Sequence, residues 1–347
     1  MLNDYQKLAI QKVRERAKEK MNTYRNELER MIQPFHIDVE TLVNRMLESP
    51  ITINFHPDRW ANHHKTVIEN LLEEGQYYGQ FQTGTTNGGK TAFVGGDRFL
   101  WEQRLFYNAY PEHAVDRPKY GALNVLKYWD GASVRFGSCY FVLKKSIIDR
   151  CTFAYGDSSA NPAQVCTWDT FVCVLIDLFK DVRSNGKLLN QVVSSEQEAL
   201  AILFHPVFRH KILGRNLDHY IETHIHGDVR LREDVESFYM DESYKDTPFA
   251  KKAYEMCQRY EIHLEWIPSR KVFVNEIGPL FRGPMIPKLA QKIDRLFGHQ
   301  QGVIHAALLG EASRDSERHP EKWKDIGSPS EVFQYMKQLW HTIGYFG

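Results

Sequence analysis

Apolar positions recur at spacings of three and four from the start of the chain. Leu2, Tyr5, Ala9, Val13, Ala17, Met21, Tyr24, Leu28 and Met31 carry that period with charges between them, which predicts one long amphipathic helix over residues 2–32. It stops near Gln33 and Pro34, and Asp38 then caps a second helix that ends before Pro50. This N-terminal helical region, residues 1–49, reads as a brace on the core or as a partner-binding arm.

The period changes to two at Ile51–Thr52–Ile53–Asn54–Phe55, a β-branched strand that delivers His56-Pro57-Asp58-Arg59 at its end. A helix through Val67 and Leu72 follows and Gly75 ends it. Tyr77 to Thr83 reads as a strand running into the loop Gly84-Thr85-Thr86-Asn87-Gly88-Gly89. Gly95-Gly96-Asp97 opens a helix to about Tyr110; Val134 to Leu143 and Cys151 to Tyr155 read as strands; 168–181 and 196–204 read as helices. A strand over His219 to His226 precedes a helix at 248–260, a strand at Ile262 to Ile267 and helices near 286–297 and 329–342. Strands cluster in the middle and helices flank them, so the class is α+β. A core over 50–230 with a helical insertion at about 160–215 and a C-terminal α/β region over 231–347 complete the division.

Composition narrows the function classes. With 42% apolar and 25% charged residues the chain is an ordinary globular protein. Lys plus Arg and Asp plus Glu are equal at 44 each, which removes a global basic field and with it the case for a nucleic-acid partner. The five cysteines contain no CxxC pair and read as buried free thiols. No apolar run approaches the ~18 residues of a membrane span, so no membrane partner is expected. The expected setting is a reducing aqueous compartment, either the bacterial cytoplasm or, for an injected effector, a host cytosol.

The strand His219 to His226 is the densest chemical feature. Tyr220, Glu222, His224 and His226 share one face, and His219, Ile221, Thr223 and Ile225 the other. The polar face meets either solvent or a functional cleft. His224 and His226 also form an HxH pair able to aim two imidazoles at a metal, with His56, His63 or His64 as a third ligand, the pattern of a metal-dependent hydrolase. In the glycine-rich loop Thr83, Thr85 and Thr86 offer hydroxyls and the glycines admit a phosphate or amide; an ordinary long turn is the plainer reading. The loop is neither a Walker loop nor GxGxxG. His56 and Arg59 can converge on an anion or ribose, or Asp58 and Arg59 can simply close a turn. Tyr120 beside Gly121, and Phe136 beside Gly137, are flat aromatic walls or core turns.

Together, Phe55 to Arg59, the Gln80 to Gly89 loop, Arg117 to Asn124, Arg135 to Ser138, Phe153 to Ser158 and Tyr220 to Gly227 resemble a bacterial family classed as a domain of unknown function. That family is in turn similar to effectors that ADP-ribosylate ubiquitin on threonine. The resemblance spans about residues 50–280 and implies an ADP-ribosyltransferase fold, two small packed sheets with NAD+ as co-substrate in the cleft between them. It implies that His56 or Arg59 holds the adenosine ribose or phosphate, that Thr83, Thr85 and Thr86 support the nicotinamide side, that Tyr120 or Phe136 stacks on nicotinamide, and that Glu222 is the catalytic carboxylate. Tyr220, counted among the cofactor-binding residues, stands where the family's motif usually has Glu or Gln, which points away from an arginine acceptor and leaves a threonine or serine hydroxyl, with His224 or His226 as a proton acceptor. The implied acceptor is a protein, with ubiquitin as the candidate. A non-enzymatic binding module, with a wetted 220–226 face, is the other alternative.

Overall fold

Asn3 opens the first helix by accepting from the Gln6 backbone while the Gln6 side chain returns to the Asn3 backbone, a reciprocal cap. The helix, α1 (Asp4–Ile32), buries Ala9, Val13, Ala17 and Leu28. Its apolar stripe packs on α5 (Val172–Asn185), which is buried over most of its first eight residues. The computed structural model describes residues 2–61, 64–84, 91–206, 214 and 217–347. Among the described residues the other helices of eight residues or more are α2 (Val39–Leu47), α3 (Val67–Glu74), α4 (Asp97–Leu105), α6 (Glu196–Phe204), α7 (Pro248–Tyr260), α8 (Met285–Leu296), α9 (Ala306–Arg318) and α10 (Pro329–Phe346). No described helix is long and apolar enough to cross a membrane.

The fold is mixed α+β around one eight-stranded sheet. In chain order its strands are β1 (Ile51–Phe55), β2 (Lys119–Leu123), β3 (Cys139–Leu143), β4 (Cys151–Tyr155), β5 (Val165–Thr167), β6 (Ile221–Ile225), β7 (Val235–Asp241) and β8 (His263–Ile267). They lie in the order β8-β7-β3-β1-β2-β6-β4-β5. Only β7 and β8 run parallel. Because β7 and β8 extend the same sheet, the boundary placed at 230 runs through the core rather than beside it.

One junction in this sheet differs from the rest. β1 and β2 pair only at Ile51 with Leu123 and Thr52 with Ala122, whereas β1 matches β3 over Thr52 to Phe55 and β2 matches β6 along its whole length. Beyond Thr52 the two strands part. The sheet thus consists of two halves, β8-β7-β3-β1 and β2-β6-β4-β5, joined at one corner. Gly121 permits that corner, since a Cβ there would lie 2.6 Å from the Thr52 carbonyl oxygen.

Several local expectations change. Tyr77 to Thr83 is not a strand: Gln76–Tyr77 is a short strand, and Gln80–Thr83 closes one helical turn because Gln82 Oε1 accepts from the Gly79 N–H at 2.9 Å. Val134–Phe136 is a 3-10 turn, and the strand begins at Cys139. α4 stops at Leu105, since Tyr107 and Asn108 take positive φ. The first residues of the helix expected at 168–181 form a separate 3-10 turn. All five cysteines are free and buried.

Candidate functional site

A cavity of about 680 Å³ occupies the gap where β1 and β2 part. One wall carries Asn54, Phe55 and His56 from the end of β1; the facing wall carries Pro118, Lys119 and Tyr120 from the start of β2. Glu222, on β6, enters beside Tyr120's half, and Trp340 and Lys337 of α10 contribute from the C-terminal helices. The volume suits a ligand of cofactor size.

Glu222 is buried at 4% exposure and its carboxylate is held from several directions. Oε2 accepts from the Ser158 backbone N–H at 2.9 Å, from the Ser158 hydroxyl, and lies 3.2 Å from His224 Nε2. Ser158 occupies a 3-10 turn capped by Asp157. Asp157 also lines the cavity, accepts from Tyr220 Oη at 2.9 Å and lies 3.6 Å from Arg135. Burial works against its charge, yet the Ser159 hydrogen bonds, Arg135 and Tyr220 hold its carboxyl below the usual range.

Across the cavity, burial, with Arg59 and His341 nearby, pushes His56 well below the ordinary histidine range. His56 is therefore a neutral hydrogen-bonding group, with Nδ1 3.4 Å from Ser138 Oγ and its ring edge-on to Trp340. Arg59 donates from Nη1 to the Leu309 carbonyl at 3.1 Å. Arg59, Arg98, Lys119, Arg135 and Lys337 line the cavity together with Asp97, Asp157, Glu222 and Glu317, so both signs of charge face a ligand. The Nε atom of Arg135 is buried with no hydrogen-bond partner, an arrangement that costs free energy unless an acceptor fills it, whereas Arg98 Nε faces the Glu102 carboxylate at 3.5 Å. Burial brings Lys119 down to about 8.

The floor depends on Asn54. Its Nδ2 donates to the Asp130 and Gly137 carbonyls at 2.8 and 3.2 Å, and its Oδ1 accepts from Ser133, fixing the loop that presents Arg135 and Phe136. On the opposite side Glu102 of α4 gathers Arg117 at 3.3 Å, Arg98 at 3.5 Å and the Tyr120 hydroxyl at 3.0 Å. Arg98 in turn lies 4.2 Å over the Tyr120 ring.

The cavity collects His56, Arg59, Thr83, Tyr120, Phe136 and Glu222 from separate parts of the sequence. Tyr220 is a correction: it does not line the cavity but stands behind it, touching Asp157 by its hydroxyl and Phe136 by its ring edge. Thr83 is on the wall, with its hydroxyl donating to the Gly79 carbonyl at 3.3 Å. Thr85, Thr86 and His63 lie outside the described residues. The face carrying Glu222, His224 and His226 is not wetted; both histidines are fully buried beneath Phe106 and Tyr110. Their ring nitrogens are engaged by Thr152, Ser158 and Tyr110, and no group of three or more His, Cys, Asp or Glu able to hold a metal occurs among the described residues.

Sequence reasoning passed over Asp157, Arg98, Glu102, Lys337 and Trp340 as cavity or support residues. Gly156-Asp157-Ser158 carried a readable signal, an Asp followed by small hydroxyl residues able to cap a turn.

Fold and site define an α+β protein with a charged, cofactor-sized cleft at a parting sheet and two anchored carboxylates, Glu222 and Asp157, in its wall. The chain belongs, over residues 50–346, to the family described as protein of unknown function (DUF3626). Among curated proteins none matches it.

Proposed function

We propose that this chain is an NAD+-dependent mono-ADP-ribosyltransferase acting on a protein hydroxyl, with a threonine of ubiquitin as the leading acceptor. The observation that carries the reading is Glu222, anchored by Ser158 at the wall of a cleft whose opposite wall presents His56 and Arg59. The two four-stranded halves joined at Thr52 and Ala122 would correspond to the two packed sheets of the transferase core.

NAD+ supplies a ribose–nicotinamide bond whose rupture develops positive charge on the ribose, as in glycoside hydrolysis. The Glu222 carboxylate would stabilise that charge, because its hydrogen bonds already fix it and no solvent shell must reorganise. Arg59 would neutralise pyrophosphate charge, and neutral His56 would hydrogen-bond a ribose hydroxyl. Tyr120 and Phe136 offer the aromatic surfaces for nicotinamide. Asp157 does not turn the site into one for arginine, since its charge is already engaged by Ser159, Arg135 and Tyr220.

The test is to incubate the purified full chain with NAD+ and ubiquitin, measuring nicotinamide release and the intact mass of ubiquitin. Release with one added ADP-ribose is expected, and Glu222→Gln should lose about 100-fold or more of the rate while still binding NAD+. Absence of nicotinamide release and of any modification overturns the reading; release without modified ubiquitin keeps the chemistry and moves the acceptor.

A further inference from the structure

Behind Glu222 the polar face of β6 continues inward as a chain of hydrogen bonds. Ser158 Oγ lies 2.8 Å from His224 Nε2, and His224 Nδ1 lies 3.0 Å from Thr152 Oγ1. The same Thr152 oxygen lies 3.1 Å from His226 Nε2, and His226 Nδ1 lies 2.7 Å from Tyr110 Oη. Thr152, His224 and His226 are at 0% exposure and Tyr110 at 1%, so no solvent interrupts the series.

With both imidazoles neutral and Glu222 ionised, the donors and acceptors admit one polarity. A carboxylate only accepts, so Ser158 spends its single proton on Glu222 and its oxygen must accept from His224 Nε2–H. His224 is then bare at Nδ1 and accepts the single proton of Thr152. The Thr152 oxygen therefore accepts from His226 Nε2–H, which leaves His226 Nδ1 bare to accept from the Tyr110 hydroxyl. Every proton is then assigned, both imidazoles are Nε2–H tautomers, and every bond points toward Glu222. Burial, reinforced by His224, Arg150 and Lys119, drives His226 well below the ordinary histidine range, in agreement with a neutral ring. The charged groups around the series are Lys119 on β2, Glu102 on α4, Arg150 before β4, and Asp116 and Arg117 beyond Tyr110.

We infer that Tyr110, His226, Thr152, His224 and Ser158 form a one-way relay that fixes the Glu222 carboxylate as an acceptor in a single orientation, making Thr152 and His226 positioning residues for the chemistry at Glu222. This rests on the transferase reading of Glu222. A proton placed on Glu222 Oε2, the oxygen the series touches, would require both imidazoles to exchange tautomers and the Thr152 and Ser158 hydroxyls to turn, so the relay has two polarities and an unprotonated Oε2 selects one. Cooperative alignment of this kind is strongest in a dry, low-dielectric setting.

Thr152 is the residue to test, because it does not line the cavity and Val copies its shape without the hydroxyl. Nitrogen-15 NMR of the full chain should show His224 and His226 as neutral Nε2–H tautomers at neutral pH; an imidazolium or an Nδ1–H tautomer at either ring overturns the relay, whatever reaction the protein performs. Thr152→Val should lower the nicotinamide-release rate about 10- to 100-fold with the Kd for NAD+ unchanged, and Thr152→Ser should restore it to within about threefold. Wild-type turnover in Thr152→Val, or equal loss in the Ser and Val variants, overturns the positioning role. If the unaltered protein releases no nicotinamide, the transferase reading fails while the tautomers still decide the polarity. The tautomer measurement on the unaltered chain also decides it should Thr152→Val fail to fold.

Discussion

Gly121 sits against Thr52 at the one corner where the two halves of the sheet are joined, with room for hydrogen but not for a methyl group: a Cβ would meet the Thr52 carbonyl oxygen at 2.6 Å and Ile53 Cγ1 at 3.2 Å. Gly121→Ala should therefore force the junction apart and cost about 1–3 kcal/mol, as overpacked cores do. Urea denaturation checks this; an unchanged midpoint would show that the corner yields without cost.

Glu102 is the counter-charge for Arg117, which is 1% exposed, and for Arg98. Burial pushes its carboxyl up while both arginines and Tyr120 oppose that shift. Glu102→Ala should destabilise the chain by about 3–5 kcal/mol by stranding Arg117, and Glu102→Gln, which still accepts hydrogen bonds, by less. Thermal unfolding of both variants in one buffer gives the ordering.

His341 is 3% exposed, neither ring nitrogen has a hydrogen-bond partner, and burial together with Arg135, Arg282 and Lys337 brings it down to about 2. The folded state thus refuses a proton that the unfolded chain takes up below about 6.5. Its contribution to stability is complete above that value and is lost as pH falls, at up to about 1.4 kcal/mol per pH unit. His341→Leu should flatten the acid side of the stability curve and match or exceed wild type at neutral pH. A variant with the same acid slope as wild type would show that other groups set it.

Arg59 and Glu222 line the same cavity but should fail differently. Arg59→Ala should raise the KM for NAD+ about tenfold with little change in kcat, the pattern of lost ground-state binding. A fall in kcat at constant KM would place Arg59 beside the reacting bond instead.

Much of this architecture was legible in the sequence where one local rule acts alone. The period of α1, the β-branched run of β1 and the alternation that put Glu222, His224 and His226 on one face all stand in the structure. Elements were missed where tertiary contacts override the local rule. β7 escaped because a register shift between Val235 and Ser237 breaks its period of two. α9 contains Gly310, a poor helix former, yet a Cβ there would lie 1.5 Å from an Asp58 oxygen, so only glycine lets the helix approach that buried acid. Arg98 and Glu102 look like the exposed face of a helix until Arg117, just before β2, and Tyr120 on it close over them. The burial of His224 and His226 was unreadable for the same reason, since Phe106 and Tyr110 cover them from another segment.

The parting of β1 from β2 has a mechanical meaning. With the ladder between the halves confined to Thr52 and Ala122, and Ile51 and Leu123, the corner is a fulcrum and the rest of each strand is a lever arm. From Thr52 to His56 that arm is about 13 Å long, so a twist of about 5° at the corner moves the His56 rim by about 1 Å relative to Glu222. The span across the cavity is therefore geared to the torsion of one sheet, and the side chains that crowd the corner set how far the mouth opens.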